Sequence, residues 1–285
     1  AVCSLIIFTA TGYQVYCEVS YSGSGCNQAI SNIITTTVNA ASTAPTSVSG
    51  TTTICNGSST SLTASGGTTG DGSNIYWFTG SCGLAYANEW YTQPFWAGNT
   101  TLNSVNGILD VTSTSDDPMI SMTNLGSYDP NIYRYVNIRY RVVSGTAGNA
   151  EIFFYNTTHN YAIGGETGYG SLISDGAWHI VNVDMWADPE YRTGGNILGW
   201  RYDWCTASGV RMQIDYITLS SGPSIGSGAT ISLSPTTTTT YYAARGGGCN
   251  TTGCASSTVT VVADPTITTQ PVGGTICTGG SRVLS

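Results

Sequence analysis

Thr53-Ile54-Cys55-Asn56-Gly57-Ser58-Ser59-Thr60-Ser61-Leu62 returns in outline near the far end as Thr275-Ile276-Cys277-Thr278-Gly279-Gly280-Ser281-Arg282-Val283-Leu284. Self-similarity of this kind marks an array of like units, and each copy reads as the opening of one. A second repeated element reads as a closing. Gly25-Cys26-Asn27 leads through a turn into Ile33-Ile34-Thr35-Thr36-Thr37-Val38, and Gly253-Cys254-Ala255 leads into Thr258-Val259-Thr260-Val261-Val262. Both are Cys-bearing turns followed by strands of period two, and both run into Pro-containing linkers, around Pro45 and around Pro265 and Pro271. The order is the end of one unit, a linker, a complete unit, a linker and the start of the next.

Composition supports an all-β chain. Of 285 residues only 8 % are charged, no residue is Lys, and Thr, Val, Ile and Tyr, which favour strands, are abundant. The net charge of −8 and the absence of clustered basic residues exclude a nucleic-acid partner and a polybasic membrane contact. Without Lys no Lys–Asn isopeptide bond can form, so covalent stapling falls to cysteine. Nine cysteines with no close C-x-x-C pair point to an oxidising compartment, and the odd count fits a piece of something longer. The first residues lack a basic stretch followed by an apolar one, so they do not read as a signal peptide.

Ile54-Cys55-Asn56-Gly57, the Tyr76-Trp77-Phe78 strand, Gly80-Ser81-Cys82-Gly83, Ile231-Ser232-Leu233-Ser234-Pro235 running on to Tyr241-Tyr242, and Gly248-Cys249-Asn250-Thr251-Thr252 resemble the immunoglobulin-like repeats of giant Bacteroidetes surface proteins. Gliding-motility adhesins exported by the type IX system are examples. The resemblance covers roughly 45–84 and 222–263. In such repeats Gly-Ser-Cys-Gly passes within a few residues to Gly-x-Gly-x-x-Ile-x-Leu-Ser-Pro, whereas here about 140 residues intervene. The implied organisation has residues 1–42 as the C-terminal part of one repeat, 43–85 with 222–263 as a complete Ig-like domain, 86–221 as a guest inserted into its loop, and 264–285 as the start of the next repeat.

Within the guest, Tyr135-Val136-Asn137-Ile138-Arg139-Tyr140-Arg141-Val142, Ala150-Glu151-Ile152-Phe153-Phe154-Tyr155 and Val210-Arg211-Met212-Gln213-Ile214-Asp215-Tyr216-Ile217 alternate as strands. Asp117-Pro118, Asp175-Gly176-Ala177-Trp178-His179 and Gly199-Trp200-Arg201-Tyr202-Asp203 resemble carbohydrate-binding-module-like jelly rolls, which implies two sheets packed face to face. The expected fold class is thus all-β: an Ig-like β-sandwich interrupted by a jelly roll and flanked by fragments of neighbouring repeats.

From position along the host domain, Cys55 pairs with Cys254 and Cys82 with Cys249, one of three connectivities open to four cysteines. Cys26 and Cys277 then find partners outside the chain, Cys17 pairs with Cys3 or lacks a partner, and Cys205 is a buried thiol.

Sugar rings are gripped by exposed aromatic faces flanked by hydrogen-bonding side chains. The guest offers Trp90, Tyr91, Phe95, Trp96, Trp186, Tyr191, Trp200, Tyr202 and Trp204, any of which can instead be core. Trp178 and Trp200, embedded in strand pattern, are assigned to the core. Pro189 and the charges around it make 186–192 a loop, so Trp186, Tyr191 and Arg192, with Trp204 and with His159 lining the same face, are the expected glycan surface. Asp116, Asp117 and Asp215 are candidate ligands of a structural calcium ion, turn capping being the other role for such a pair. Glu151, Glu166, Asp184 and Asp203 could supply the two carboxylates of a glycosidase, but no hydrolase, nucleophile or phosphate-loop motif accompanies them. The expectation is a non-enzymatic, extracellular cell-surface protein that contacts glycans or surface polysaccharides and neighbouring repeats, with a purely structural filament or the binding region of a polysaccharide-degrading enzyme as alternatives.

Overall fold

The computed structural model describes residues 14–15, 18–19, 29–30, 32–35, 38–87, 96–123, 125–247 and 249–283. Strands dominate them. Four two-residue strands come first: β1 (Gln14–Val15), β2 (Glu18–Val19), β3 (Ala29–Ile30) and β4 (Ile34–Thr35). Then follow β5 (Ser47–Gly50), β6 (Thr53–Cys55), β7 (Thr60–Ser65), β8 (Asn74–Thr79), β9 (Leu84–Ala87), β10 (Trp96–Gly98), β11 (Thr100–Val105), β12 (Ile108–Ser113), β13 (Met119–Met122), β14 (Tyr135–Ser144), β15 (Asn149–Asn156), β16 (Thr167–Ser171) and β17 (His179–Asp184). A 3-10 turn, Met185–Ala187, and a short helix α1, Pro189–Thr193, precede β18 (Ile197–Asp203), β19 (Arg211–Ser220), β20 (Ser224–Ser227), β21 (Thr230–Leu233), β22 (Thr239–Gly246) and β23 (Thr251–Val262).

Strands far apart in sequence share the first sandwich. β8 lies between β20 and β22, β7 pairs with β21, and β6 runs parallel to the end of β23, with Cys55 opposite Val262. The sheets are ordered β20-β8-β22-β23-β6 and β21-β7-β5. Alternation decides which side chains go inside: Leu62 and Ala64 of β7 and Val259 of β23 are buried while their neighbours face water. Trp77 is fully buried with them, and its indole N–H donates to the Gly228 carbonyl at 2.8 Å, which removes the cost of burying that polar group.

Residues 96–220 build the second sandwich. One sheet runs β10-β13-β18-β15-β16; the other runs β11-β12-β19-β14-β17, with β9 added along β19. Between them lie Leu109, Ile120, Ile138, Ile152, Phe154, Tyr202, Met212 and Ile217, all essentially without exposed surface. The β9 pairing carries Leu84 and Ala85 into this sheet, opposite Ser220 and next to Leu219, so the chain passes between the sandwiches in the short connections 80–83 and 221–223.

The two sandwiches are fused and share a small core of their own. Tyr76, Phe78, Leu84, Ala87, Tyr216 and Ala244 pack together, with the Tyr76 and Tyr216 rings edge to face at 5.1 Å. Asn137 sits beneath, fully buried: its Nδ2 donates to Thr218 Oγ1 at 3.0 Å and Ser220 Oγ at 2.7 Å, and its Oδ1 accepts from the Ser224 backbone N–H at 3.1 Å.

Among the described residues a cystine joins Cys82 to Cys254, with Cα atoms 6.0 Å apart. This corrects both pairings expected from the sequence, Cys55–Cys254 and Cys82–Cys249. Register supplies the reason. Cys55 stands opposite Val262, eight positions further along β23 than Cys254, a distance of roughly 27 Å along an extended strand. Cys254 instead lies opposite Ala244, on the side of the sheet reached by the β8–β9 connection that bears Cys82. Cys55, Cys249 and Cys277 are exposed free thiols, and Cys205 is a buried one. Cys3, Cys17 and Cys26 lie outside the described residues.

Candidate functional site

The outward face of the five-stranded sheet collects aromatic and charged side chains in two adjacent rows. Register fixes who stands beside whom. Gly98, Met119, Asp203, Glu151 and Tyr169 form one row across β10, β13, β18, β15 and β16, and Trp96, Ser121, Arg201, Phe153 and Thr167 form the next. The intervening residues Ala97, Ile120, Ile152 and Tyr202 point into the core, so these ten share the other side. Trp96 is 61 % exposed and Tyr169 59 % exposed. They mark opposite edges of the sheet, four strand spacings or roughly 19 Å apart.

Gly98 lets the Trp96 ring lie over the backbone. A Cβ at that position would sit 3.2 Å from the far edge of the indole and 3.1 Å from Met119 Cε. At the centre Arg201 is locked in place: Nε donates to Asp203 Oδ1 at 2.7 Å, Nη2 to Asp203 Oδ2, and Nη2 also to Asp117 Oδ1 at 2.9 Å. Its guanidinium lies over the Phe153 ring, 5.1 Å from the centroid. Tyr169 donates to Glu151 Oε1 at 2.8 Å, and the hydroxyls of Tyr155 and Ser121 bond at 2.6 Å. Burial pushes the Asp203 carboxyl above the usual carboxylate range; the Arg201 fork opposes that rise, and the charges of Asp117 and Glu151 add to it. Burial likewise raises Tyr155. A hollow of about 240 Å³ opens at one end of the face, lined by Asn149, Glu151, Tyr169, Asp203, Cys205 and Thr206.

The residues expected to form a glycan surface sit elsewhere. Tyr191 is buried, edge to face with Phe154 at 5.2 Å, its hydroxyl donating to the Tyr133 carbonyl at 2.6 Å. Trp204 is fully buried, beside Tyr202. His159 is buried as well and borders Phe154. Trp186 and Arg192 do come together: Arg192 Nη1 donates to the Trp186 carbonyl at 2.7 Å, and the half-buried indole has Arg134 and Arg192 within 6.0 and 5.7 Å of its ring. The 186–192 segment is therefore a folded cap on the core. Two of its charges are spent locally: Asp188 accepts from the backbone N–H groups of Glu190 and Tyr191 and caps α1, and Arg192 donates to the Trp186 carbonyl.

Trp200 is buried as expected, but Trp178 lies half-exposed with Arg139 and Arg141 over its ring at 4.7 and 5.1 Å. A groove of about 730 Å³ beside it, between β17 and β20, is lined by Arg139, Trp178, Asn182, Ser224, Gly226 and Ser227. The three Asp residues suggested for calcium are not gathered: Asp117 binds Arg201 on the five-stranded sheet, Asp116 is exposed, and Asp215 binds Arg139 on the six-stranded one. Asp184 holds Arg134. Trp90, Tyr91 and Phe95 lie outside the described residues.

Phe153, Tyr169, Arg201 and the Asp203–Glu151 pair were not singled out as binding residues from the sequence. Period-two reading of Ile152-Phe153-Phe154 would have found the first, because an apolar neighbour on each side already occupies the inward positions.

No family model matches this chain, and no curated protein does. Among solved structures it is similar to PfGH50B, with a TM-score of 0.39 and 9 % identity over 51 % of this chain and 24 % of that one. It is also similar to the family 29 carbohydrate-binding module, TM-score 0.36 and 12 % identity over 53 % and 90 %. A mutant of the family 29 module CBM29-2 complexed with cellulohexaose matches at TM-score 0.35 and 13 % identity, over 53 % and 94 %. The chain spans about a quarter of the length of PfGH50B. These likenesses are of fold only.

Proposed function

We propose that the chain is a non-catalytic glycan-binding segment of an extracellular bacterial surface array, and that the outer face of the five-stranded sheet holds the polysaccharide. The observation that carries this reading is the pair of exposed rings, Trp96 and Tyr169, at the two edges of one face, with the Arg201–Asp203–Glu151 ridge between them. Stacking platforms about 19 Å apart suit an extended sugar chain lying across the strands, and the ridge supplies charged hydrogen-bonding groups for hydroxyls. Catalysis fits the same carboxylates poorly. Both Asp203 oxygens are taken by Arg201 and one Glu151 oxygen by Tyr169, so neither group is held ready to give a proton to a leaving group.

Residues 43–85 and 222–263 form the Ig-like repeat that carries the guest at 86–221, with 1–42 and 264–285 belonging to neighbouring repeats. The strand pairing across the insertion and the shared Tyr76–Tyr216 core support this division. The Cys82–Cys254 bridge supports an oxidising, extracellular location. Calcium at Asp116, Asp117 or Asp215 has no support from the ion pairs that two of them make.

Isothermal titration with cellohexaose and mannohexaose, followed by a wider polysaccharide panel, tests the proposal. Binding to at least one extended glycan is expected, and binding to none overturns it. Affinity also carries a pH signature. Because the Asp203 pKa lies above 3.8 in the fold, its carboxylate protonates and loosens the Arg201 fork at a higher pH than an ordinary Asp would. Binding should fall on acidification through that range, and an Asp203→Asn variant should bind weakly without that step. The sign for stability is opposite. A raised folded pKa contributes stability below the unfolded value that is lost as pH rises through the folded one, so Asp203 does not itself promote acid unfolding over this window. Asp110, lowered chiefly by its hydrogen bond from Arg211, contributes in the other sense, with stability present above 3.8 and lost as pH falls further.

A further inference from the structure

At one end of the second sandwich, His159, Glu166 and Glu190 bring an imidazole nitrogen and two carboxylates within 4.8 Å of one another. His159 and Glu166 lie in the connection from β15 to β16; Glu190 is in the first turn of α1. Local bonds hold all three. Asn156 Oδ1 accepts from the His159 backbone N–H at 2.9 Å, and Asp188 accepts from the N–H groups of both Glu190 and Thr167, so it ties the helix start to the residue after Glu166.

The His159 ring defines its own need. Its side chain is 6 % exposed, and Nδ1 lies 2.9 Å from the Tyr161 carbonyl. A carbonyl only accepts, so Nδ1 carries a proton, and in the neutral ring Nε2 presents a lone pair to the cluster. Nε2 sits 2.8 Å from Glu166 Oε2, and both buried atoms are left without a hydrogen-bond partner. Two electron-rich atoms in contact, shielded from water, cost free energy unless something positive lies between them.

We propose that this cluster binds a divalent transition-metal cation, zinc in the first instance, through His159 Nε2, Glu166 and Glu190. One imidazole and two carboxylates match the nitrogen and oxygen preference of zinc, and imidazole disfavours calcium. The Nδ1–H bond to a backbone carbonyl is the outer contact that fixes the tautomer of a ligating histidine. The ion would tie the 157–166 connection to α1. It is independent of the glycan face, since none of its ligands belongs to that face.

The test is titration of the chelator-stripped full chain with zinc chloride against a chromophoric chelator, after alkylation of the free thiols so that Cys55, Cys249 and Cys277 take up none. One equivalent should bind, excess calcium chloride should not displace it, and His159→Ala and Glu190→Gln should each weaken it by at least about tenfold. Glu190 is only half-buried on a short helix, so the second variant remains informative if the first fails to fold. No zinc uptake by the folded chain, displacement by calcium, or undiminished affinity in Glu190→Gln overturns the proposal.

Discussion

Pulled from its two ends, the oxidised chain should lengthen by about 600 Å less than the reduced chain, because the Cys82–Cys254 bridge short-circuits 172 residues at roughly 3.5 Å each. The second sandwich lies wholly inside that loop, so tension passes from Cys82 to Cys254 without crossing it. Single-molecule pulling with and without reductant reads this directly. Equal contour lengths in the two conditions would mean the bridge is not formed. At equilibrium the same loop is large enough for the chain-entropy relation to assign the bridge about 5 kcal/mol, so Cys82→Ser should lower the denaturation midpoint sharply. The buried pairs that fuse the two sandwiches, Tyr76 with Tyr216 and Asn137 with Ser224, should make them unfold together once the bridge is gone.

Trp96→Ala should reduce glycan affinity by one to two orders of magnitude, as loss of a stacking anchor commonly costs about 2 kcal/mol or more, and should leave stability nearly unchanged because the ring is mostly exposed. Arg201→Ala should be as damaging for a different reason. It removes the group that neutralises Asp203, leaving a buried carboxylate unpaired, so some loss of stability accompanies the loss of binding. Binding titrations beside thermal unfolding separate the two. A Trp96→Ala variant that binds as tightly as the parent would remove that ring from the site.

Much of the architecture was legible in the residues. Period-two alternation marked the strands that became β14, β15 and β19, and the long gap after Gly80-Ser81-Cys82-Gly83 led to the expectation that strands on either side of it pair, as β7 does with β21 and β8 with β20. The cystine pairing was not legible, because it depends on strand register: the parallel pairing of β6 with the far end of β23 carries Cys55 past Cys254. The face proposed for binding was not singled out, for a related reason. Pro189 and three charges made residues 186–192 look like an exposed loop, whereas in the fold Asp188 is a helix cap and Tyr191 a core ring. The residues that do face outward, Phe153, Tyr169, Arg201 and Asp203, lie on three separate strands and become neighbours only through pairing that no local pattern encodes.

Chemical-shift mapping of the indole N–H groups of Trp77, Trp96, Trp178, Trp186, Trp200 and Trp204, six of the seven tryptophans, during titration with a bound polysaccharide fragment tests the placement of the site most directly. The Trp96 signal should move with saturation while those of Trp178 and Trp186 stay fixed. Movement confined to Trp178, beside the 730 Å³ groove between the sandwiches, or to Trp186 on the helical cap, would contradict the account.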